Sequence, residues 1–245
     1  MLRHPFFTLL LAAAPLIAAA AEDVVPEYTA TYAVALDNSP AGTLVRTLRR
    51  DAGGSYLFES ETKATQGWYS LLGLAIQEKS AWTLEAGQLR PLNYSYQQSG
   101  PGGRDLTMEF DWQKGTLRQH GGKHERDTPL VPHLLDRLLY QYALTRDLTS
   151  GNPVLDYVVA EDGKIKTYHL RRAGGETLAT PLGNLETIRI ERRKEDSKRM
   201  TTLWCAPALH YLPVRLDHIE KNGQQTSALI QSLSTMEPPP LAIGK

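Results

Sequence analysis

Apolar and polar residues alternate along most of the chain, and this period of two is typical of half-buried β-strands. Residues 28–36 and 106–112 show it most clearly, with aromatic or aliphatic side chains at every second position. Groups rich in Gly, Asp, Asn and Pro interrupt the alternation, as at 37–42 and 51–54, and such residues favour tight turns. The pattern therefore predicts a meander of antiparallel hairpins up to residue 112 and a second series of strands over 154–233.

One long segment, residues 132–145, instead has apolar residues at helical spacing. Its apolar stripe consists of Leu134, Leu135, Leu138, Leu139, Tyr142 and Ala143. Pro132 fits the first helical turn, where its missing N–H would have no partner. Because a lone amphipathic helix among many strands must bury its stripe against a sheet, we predict a mainly β fold. In this fold a curved antiparallel sheet or half-open barrel wraps around one principal α-helix.

Residues 66–74 are apolar and aromatic but have no period of two. They predict either a short helical turn packed on the core or an apolar lip over a cavity, with Trp68 and Leu72 at its mouth. The aromatic residues of the neighbouring strands allow the same two interpretations, because aromatic side chains fill cores as well as pockets. The candidate ligand-binding residues are Trp68, Tyr69, Leu72, Trp82, Tyr94, Tyr96, Phe110 and Trp112.

The first 21 residues have the order of a secretory signal peptide: a short basic start, an apolar run and then small residues. The run is too short and too rich in alanine for a stable membrane anchor, and we expect no transmembrane segment elsewhere. We expect residues 1–21 to be removed, residues 22–235 to form a single β-rich domain and residues 236–245 to be a disordered, proline-rich tail. The expected location is the bacterial periplasm, with secretion as the alternative.

The charges of the chain are balanced, with 27 Lys and Arg against 27 Asp and Glu. A near-neutral protein has no electrostatic attraction for nucleic acid over its whole surface, so we predict no nucleic-acid partner. The chain has one cysteine, Cys205, and therefore no internal disulfide. Its stability has to come from a hydrophobic core, for which an apolar content of 41% is ordinary.

A metal site is conceivable at residues 120–125, where His120, His124 and Glu125 supply three ligand types. A helical zinc motif needs two histidines on one helix face, whereas Gly121 and Gly122 separate these and indicate a loop. We therefore favour a solvated turn and predict no metal.

Cys205, His210, Asp217 and His218 have the composition of a thiol-nucleophile triad. Free cysteine more often packs as a small hydrophobe, and we favour that interpretation. The chain has no Gly-x-Ser-x-Gly, P-loop, dinucleotide or Cys-x-x-Cys motif. We therefore predict no catalytic residue and no cofactor, and we rank an enzyme last among the candidate functions.

Four segments, at 89–96, 136–144, 180–190 and 201–218, resemble in their order and spacing the exported bacterial family known as domain of unknown function 3108 (DUF3108). The resemblance covers almost the whole chain after the signal peptide. It implies a fold like the half-open barrels of periplasmic lipoprotein carriers, in which a curved sheet wraps a helix. It implies no catalytic residue, because the family has no established chemistry, and fold does not imply function.

Three functions follow as alternatives. The first is a noncatalytic periplasmic module that binds an apolar or amphipathic small molecule of the cell envelope. The second is an interaction or structural protein that supports envelope integrity by docking onto an envelope protein. The third is a hydrolase with an unrecognised site. We expect an exposed lip at 66–74 to favour the first over the second, and a converged Cys–His pair to favour the third.

Overall fold

The computed structural model describes residues 25–122, 125–193 and 197–235 of the chain. The predicted signal peptide and the predicted proline-rich tail lie outside these residues. Most of the described residues are in β-strands and few are helical, so the predicted mainly β class is confirmed.

Fifteen strands form within the described residues. The first eight are β1 (Tyr28–Leu36), β2 (Ser39–Arg50), β3 (Tyr56–Ala64), β4 (Ala75–Glu85), β5 (Gln88–Ser99), β6 (Arg104–Asp111), β7 (Thr116–Gly121) and β8 (Arg126–Pro129). The other seven are β9 (Leu135–Asp136), β10 (Asp156–Glu161), β11 (Lys164–Thr180), β12 (Gly183–Arg193), β13 (Met200–Ala206), β14 (Leu212–Ile219) and β15 (Gln225–Thr235).

The described helical segments are α1 (Gly67–Leu71), α2 (Leu139–Thr149) and a short 3-10 helix at Pro207–Leu209. No helix in the described ranges has the length and apolarity needed to cross a membrane.

All fifteen described strands belong to one sheet that consists of two meanders. Strands β1 to β8 pair with their sequence neighbours in antiparallel fashion, and so do β10 to β15. The first and last strands, β1 and β15, pair with each other and join the two meanders into a continuous sheet. At the far end, β9 adds to β10 as a parallel strand. The sheet therefore runs from β8 at one edge to β9 at the other.

The helix α2 lies inside this curved sheet and supplies much of its core. Six of its eleven residues are buried: Leu139, Tyr140, Tyr142, Ala143, Leu144 and Leu148. They share one hydrophobic cluster with strand residues of both meanders, such as Trp82 and Leu106 in the first and Tyr157 and Ile190 in the second. The prediction of one principal helix wrapped by a curved sheet is confirmed.

The prediction that this helix begins at Pro132 is wrong, because α2 begins at Leu139 and runs to Thr149. Residues 132 and 133 form a turn in which His133 has a positive φ of 57°. Leu135 and Asp136 then pair with Val159 and Ala160 as strand β9. The buried Asp136 carboxylate accepts the backbone N–H groups of residues 138 and 139, so it satisfies donors that a helix start leaves open.

Candidate functional site

Two cavities flank the central helix α2. The larger is an open groove of about 890 Å³ between α2, the turn that joins β4 to β5, and β10. Its apolar walls include Leu89, Leu135, Ala143 and Tyr157. Its volume is in the usual range of small-molecule sites, which are mainly apolar with a few placed polar groups.

The smaller cavity, about 250 Å³, lies on the β1–β3 side of the same helix. Phe58, Leu209, Leu212 and Leu233 give it an apolar lining. Four residues line both cavities: Pro26, Tyr142, Thr145 and His210. The two cavities therefore adjoin each other, with the helix residues Tyr142 and Thr145 at their boundary.

Arg46 brings a positive charge to the smaller cavity. It lies on β2, between Ala30 of β1 and Ser60 of β3 in the strand register. The side chain is only 7% exposed. Among the described residues its guanidinium makes no hydrogen bond or ion pair, and Nε is fully buried without a partner. This is unusual, because buried charges in proteins are normally paired and hydrogen-bonded.

A second polar side chain from the helix lines the same cavity. Gln141 of α2 has a buried Oε1 that finds no donor among the described residues. Tyr28 of β1 also lines it, and burial raises the pKa of this phenol well above its ordinary value, with Tyr32 adding to the rise and the Arg46 charge opposing it. The phenol of Tyr28 is therefore a neutral hydroxyl, and the buried polar groups that accompany Arg46 here, from Tyr28 and Gln141, are uncharged.

Asp136, directly before the helix, is a buried carboxyl with three donors. The hydroxyl of Ser80 donates to Oδ2 at 2.6 Å, and the backbone N–H groups of Leu138 and Leu139 donate to Oδ1 at 2.9 and 2.8 Å. Burial raises the pKa of Asp136 to about 6, although these hydrogen bonds oppose the rise. Asp136 lines neither of the two cavities, and its contacts give it a structural role at the start of α2.

A further polar cluster joins the two meanders away from the cavities. The guanidinium of Arg104 on β6 forms an ion pair with Asp162, in the turn between β10 and β11. The neighbouring backbone N–H of Gly163 donates to the Gln119 side chain on β7 at 2.6 Å. These contacts hold the β10–β11 turn against the first meander.

Three of the candidate aromatic residues are parts of the packed core. Trp82 is fully buried and stacks on Tyr56, with ring centroids 4.6 Å apart, and it also contacts the ring of Tyr142 at 5.1 Å. Tyr94 is buried, and its hydroxyl donates to Glu78 at 2.6 Å. Phe110 is buried in the same cluster. For these three residues, core packing is therefore the correct one of the two interpretations that the sequence allowed.

Two other candidates are half-buried at the edge of the core. Tyr96 lies beneath the guanidinium groups of Arg104 and Arg137. The indole N–H of Trp112 donates to the backbone carbonyl of Pro91 at 2.8 Å. Neither residue lines the cavities beside α2, although Trp112 borders a separate hollow near Pro132.

The remaining candidates, Trp68, Tyr69 and Leu72, lie in and directly after α1. The predicted short helical turn is present, but it is not packed on the core, because none of the residues of α1 is buried. Trp68 is 69% exposed and Leu71 is 79% exposed. This apolar lip does not line either cavity beside α2. The lip and the cavities are therefore separate features of the molecule.

Arg46 and Gln141 were not predicted from the sequence, although the pattern of β2 contains a signal for Arg46. In the alternation of β2, residues 44, 46 and 48 point inward, and the first and last are buried leucines. A charged residue at an inward position between two leucines is a marker of a special site. Gln141 gave no comparable signal, because the helical spacing places it beside the apolar stripe, where a polar side chain is ordinary.

Cys205 and its candidate partners do not assemble into a triad. Cys205 is completely buried opposite Pro213, and burial raises the pKa of its thiol to about 12. Asp217 accepts two hydrogen bonds from Arg215 instead of orienting a histidine. His218 contacts Thr201 and Glu220. The thiol is therefore protonated near neutral pH, which makes it a poor nucleophile.

His120 and Glu125 are exposed, and His124 lies outside the described residues. No group of three His, Cys, Asp or Glu side chains suited to a metal ion occurs in the described part of the chain.

The comparisons with known proteins agree with the fold. A solved structure, the β-barrel-like protein of domain of unknown function DUF1849 from Brucella abortus, superposes on this chain with a TM-score of 0.56. The match covers 87% of this chain and 99% of that one, at 9% sequence identity. This likeness concerns the fold alone. No curated protein matches the chain.

A family model gives the sequence relationship. The model described as protein of unknown function (DUF3108) matches residues 27–230, which include every strand from β1 to β14 and most of the residues that line the two cavities. The chain therefore belongs to the DUF3108 family.

Proposed function

We propose that this protein is a noncatalytic binding module of the periplasm that holds a small amphipathic molecule of the cell envelope beside α2. The observation that carries the proposal is the pair of adjoining cavities, about 890 and 250 Å³, with apolar walls and a few buried polar groups. A molecule with one polar end and an apolar chain matches that lining. The signal-peptide pattern at the N-terminus supports the periplasmic location.

The first experiment asks whether the protein carries a ligand. The mature protein is purified from the periplasm, and native mass spectrometry is combined with analysis of an organic extract. In parallel, the uncharged fluorescent probe N-phenyl-1-naphthylamine is titrated into delipidated protein. We expect a co-purifying amphiphile and saturable binding of the probe.

Blocking the site tests where the molecule lies. Thr145 lines both cavities, so Thr145→Trp should abolish probe binding by filling the space between them. Thr107→Trp on the exposed side of β6 is the matched control and should bind as the wild type does. A protein that is empty as purified and binds no probe would contradict the proposal.

The exposed lip at 66–74 lines neither cavity beside α2, so it does not favour the ligand site as expected and instead supports a second candidate, docking onto another envelope protein. Trp68 and Leu71 present large apolar surfaces to solvent, and exposed apolar patches commonly mark interaction sites. The double variant Trp68→Glu/Leu72→Glu separates the candidates. If the lip serves docking, the variant should no longer cross-link to its partner in cells but should still bind the fluorescent probe. If the lip rims the ligand site, the variant should no longer bind the probe.

A further inference from the structure

We propose that Arg46 is the headgroup site of this module and that the ligand is a single-chain amphiphile ending in a carboxylate. This inference rests on the proposed function and names the chemical class of its ligand.

The guanidinium of Arg46 has no partner among the described residues. Arg46 as a residue is only 7% exposed and its Nε is fully buried, and no described side chain or carbonyl hydrogen-bonds its guanidinium in place of water. A buried charge without a partner is strongly unfavourable, so proteins keep one where something else completes it. Since Arg46 lines the smaller cavity, the completing group is an anion bound there.

The charge of the smaller cavity favours a ligand with a single negative charge. Besides Arg46 and the tyrosines, the cavity is lined by the ionisable residues Glu27 and His210, and both are more exposed than Arg46. The Glu27 carboxylate accepts the backbone N–H of Arg50 at 3.1 Å. Arg46 is therefore the one buried cation that lines this cavity among the described residues. One guanidinium matches one negative charge, and its planar fork fits the two oxygens of a carboxylate.

The size and the apolar lining of the two cavities favour a ligand with an apolar chain. A cavity of about 250 Å³ has roughly the volume of eight water molecules, which is enough for a carboxylate and the first part of a chain. Phe58 and Leu212 offer apolar contact to that part. Because Tyr142 and Thr145 also line the larger groove, a longer chain continues there. A ligand with a charged head at Arg46 and an apolar tail in the groove uses both cavities.

The test compares three competitors for displacement of N-phenyl-1-naphthylamine from the mature protein. Dodecanoate and 1-dodecanol share the same chain length and differ in the headgroup, and acetate is the headgroup without the chain. We expect dodecanoate to compete about tenfold to a hundredfold more strongly than 1-dodecanol, as for one hydrogen-bonded charge. Acetate should neither displace the probe nor raise the melting temperature at the same concentration.

Variants assign this preference to Arg46. Arg46→Met should bind dodecanoate and 1-dodecanol equally, whereas Arg46→Lys should retain the preference for dodecanoate. Arg49→Met is the matched control, because Arg49 is on the same strand, is more exposed and pairs with Glu59. It should behave as the wild type.

The melting temperature separates a binding role of Arg46 from a purely structural one. Without ligand, Arg46→Met should melt at or above the temperature of the wild type, because it removes an unpaired buried charge. Dodecanoate should raise the melting temperature of the wild type and leave that of Arg46→Met unchanged. A large loss of stability in unliganded Arg46→Met would assign Arg46 to the core and overturn the inference.

The remaining outcomes are also distinct. Equal competition by dodecanoate and 1-dodecanol in the wild type would overturn the headgroup site and leave the proposed function intact. Acetate that matches dodecanoate at equal concentration would overturn the amphiphile and assign the cavity to free small carboxylates. Absence of probe binding altogether would instead contradict the proposed function.

Discussion

Asp136 illustrates how one buried side chain connects the start of a helix to the pH dependence of stability. Its carboxyl accepts hydrogen bonds from Ser80, Leu138 and Leu139, yet burial still raises its pKa to about 6. The folded chain therefore holds this proton more tightly than the unfolded chain does. Protonated Asp136 therefore stabilises the fold. This stabilisation is fully present below the pKa that Asp136 has in the unfolded chain, about 4, and is lost as the pH rises through its folded pKa of about 6.

The variant Asp136→Asn should remove this pH dependence while keeping an acceptor oxygen for the two backbone N–H groups. Between pH 4 and pH 6 the wild type should lose on the order of 2–3 kcal/mol in the free energy of unfolding relative to the variant. Urea denaturation at several pH values measures the difference. Asp105→Asn, at an exposed site on β6, is the control, and its profile should follow that of the wild type. Parallel profiles for the wild type and Asp136→Asn would disprove the assignment.

At the scale of elements, burial distinguishes the two α-helices. In α2 the side chains of Leu139, Leu144 and Leu148 are almost completely buried, whereas α1 buries none. The free energy that holds α2 comes from packing against the sheet, because a helix of eleven residues is marginal by itself. Loss of a core side chain from α2 should therefore affect the whole fold, and changes in α1 should not.

Leu144→Ala should lower the free energy of unfolding by about 2–5 kcal/mol, because it leaves a cavity in the core. Leu71→Ala, at a site that is 79% exposed, should change it by less than about 0.5 kcal/mol. Chemical denaturation of the two variants measures both values. Similar small effects at the two sites would show that α2 is loosely packed.

The strands were predictable from the sequence because alternation is a local property. The start of α2 was not: Leu134 and Leu135 are buried and have helical spacing, yet they lie in a turn and in β9. This local structure depends on the pairing of Leu135 with Val159 and on the hydrogen bond from Ser80 to Asp136, which are contacts between distant parts of the chain. The missing partner of Arg46 is likewise visible only after distant strands have been placed.

At the scale of the whole molecule, the two meanders contact each other not only through the β1–β15 pair but also at a second place. The ion pair of Arg104 with Asp162 and the hydrogen bond from Gly163 to Gln119 connect β6 and β7 to the β10–β11 turn. Together with α2, which packs on both meanders, these contacts keep the curved sheet closed around its core.

A double-mutant cycle with Arg104→Ala and Asp162→Ala should give a coupling energy of roughly 0.5–1 kcal/mol, because both groups are partly exposed and solvent weakens the attraction. Urea denaturation of the wild type, the two single variants and the double variant measures it. The control pair, Lys114 and Asp111, is more exposed and lies within one hairpin, so its coupling should be smaller. Additive effects at Arg104 and Asp162 would show that this contact does not help to join the meanders.

The pairing of β1 with β15 has a consequence for how the protein folds. The register places Tyr28 opposite Thr235, so nearly all of the described chain lies between two residues that are neighbours in the ladder. Closing so long a loop is entropically costly, and folds that depend on distant pairings form slowly. Strand β1 lacks its partner β15 until the end of the chain has been synthesised. The native sheet should therefore form only after β15 has been synthesised, and refolding of the full chain should be slow.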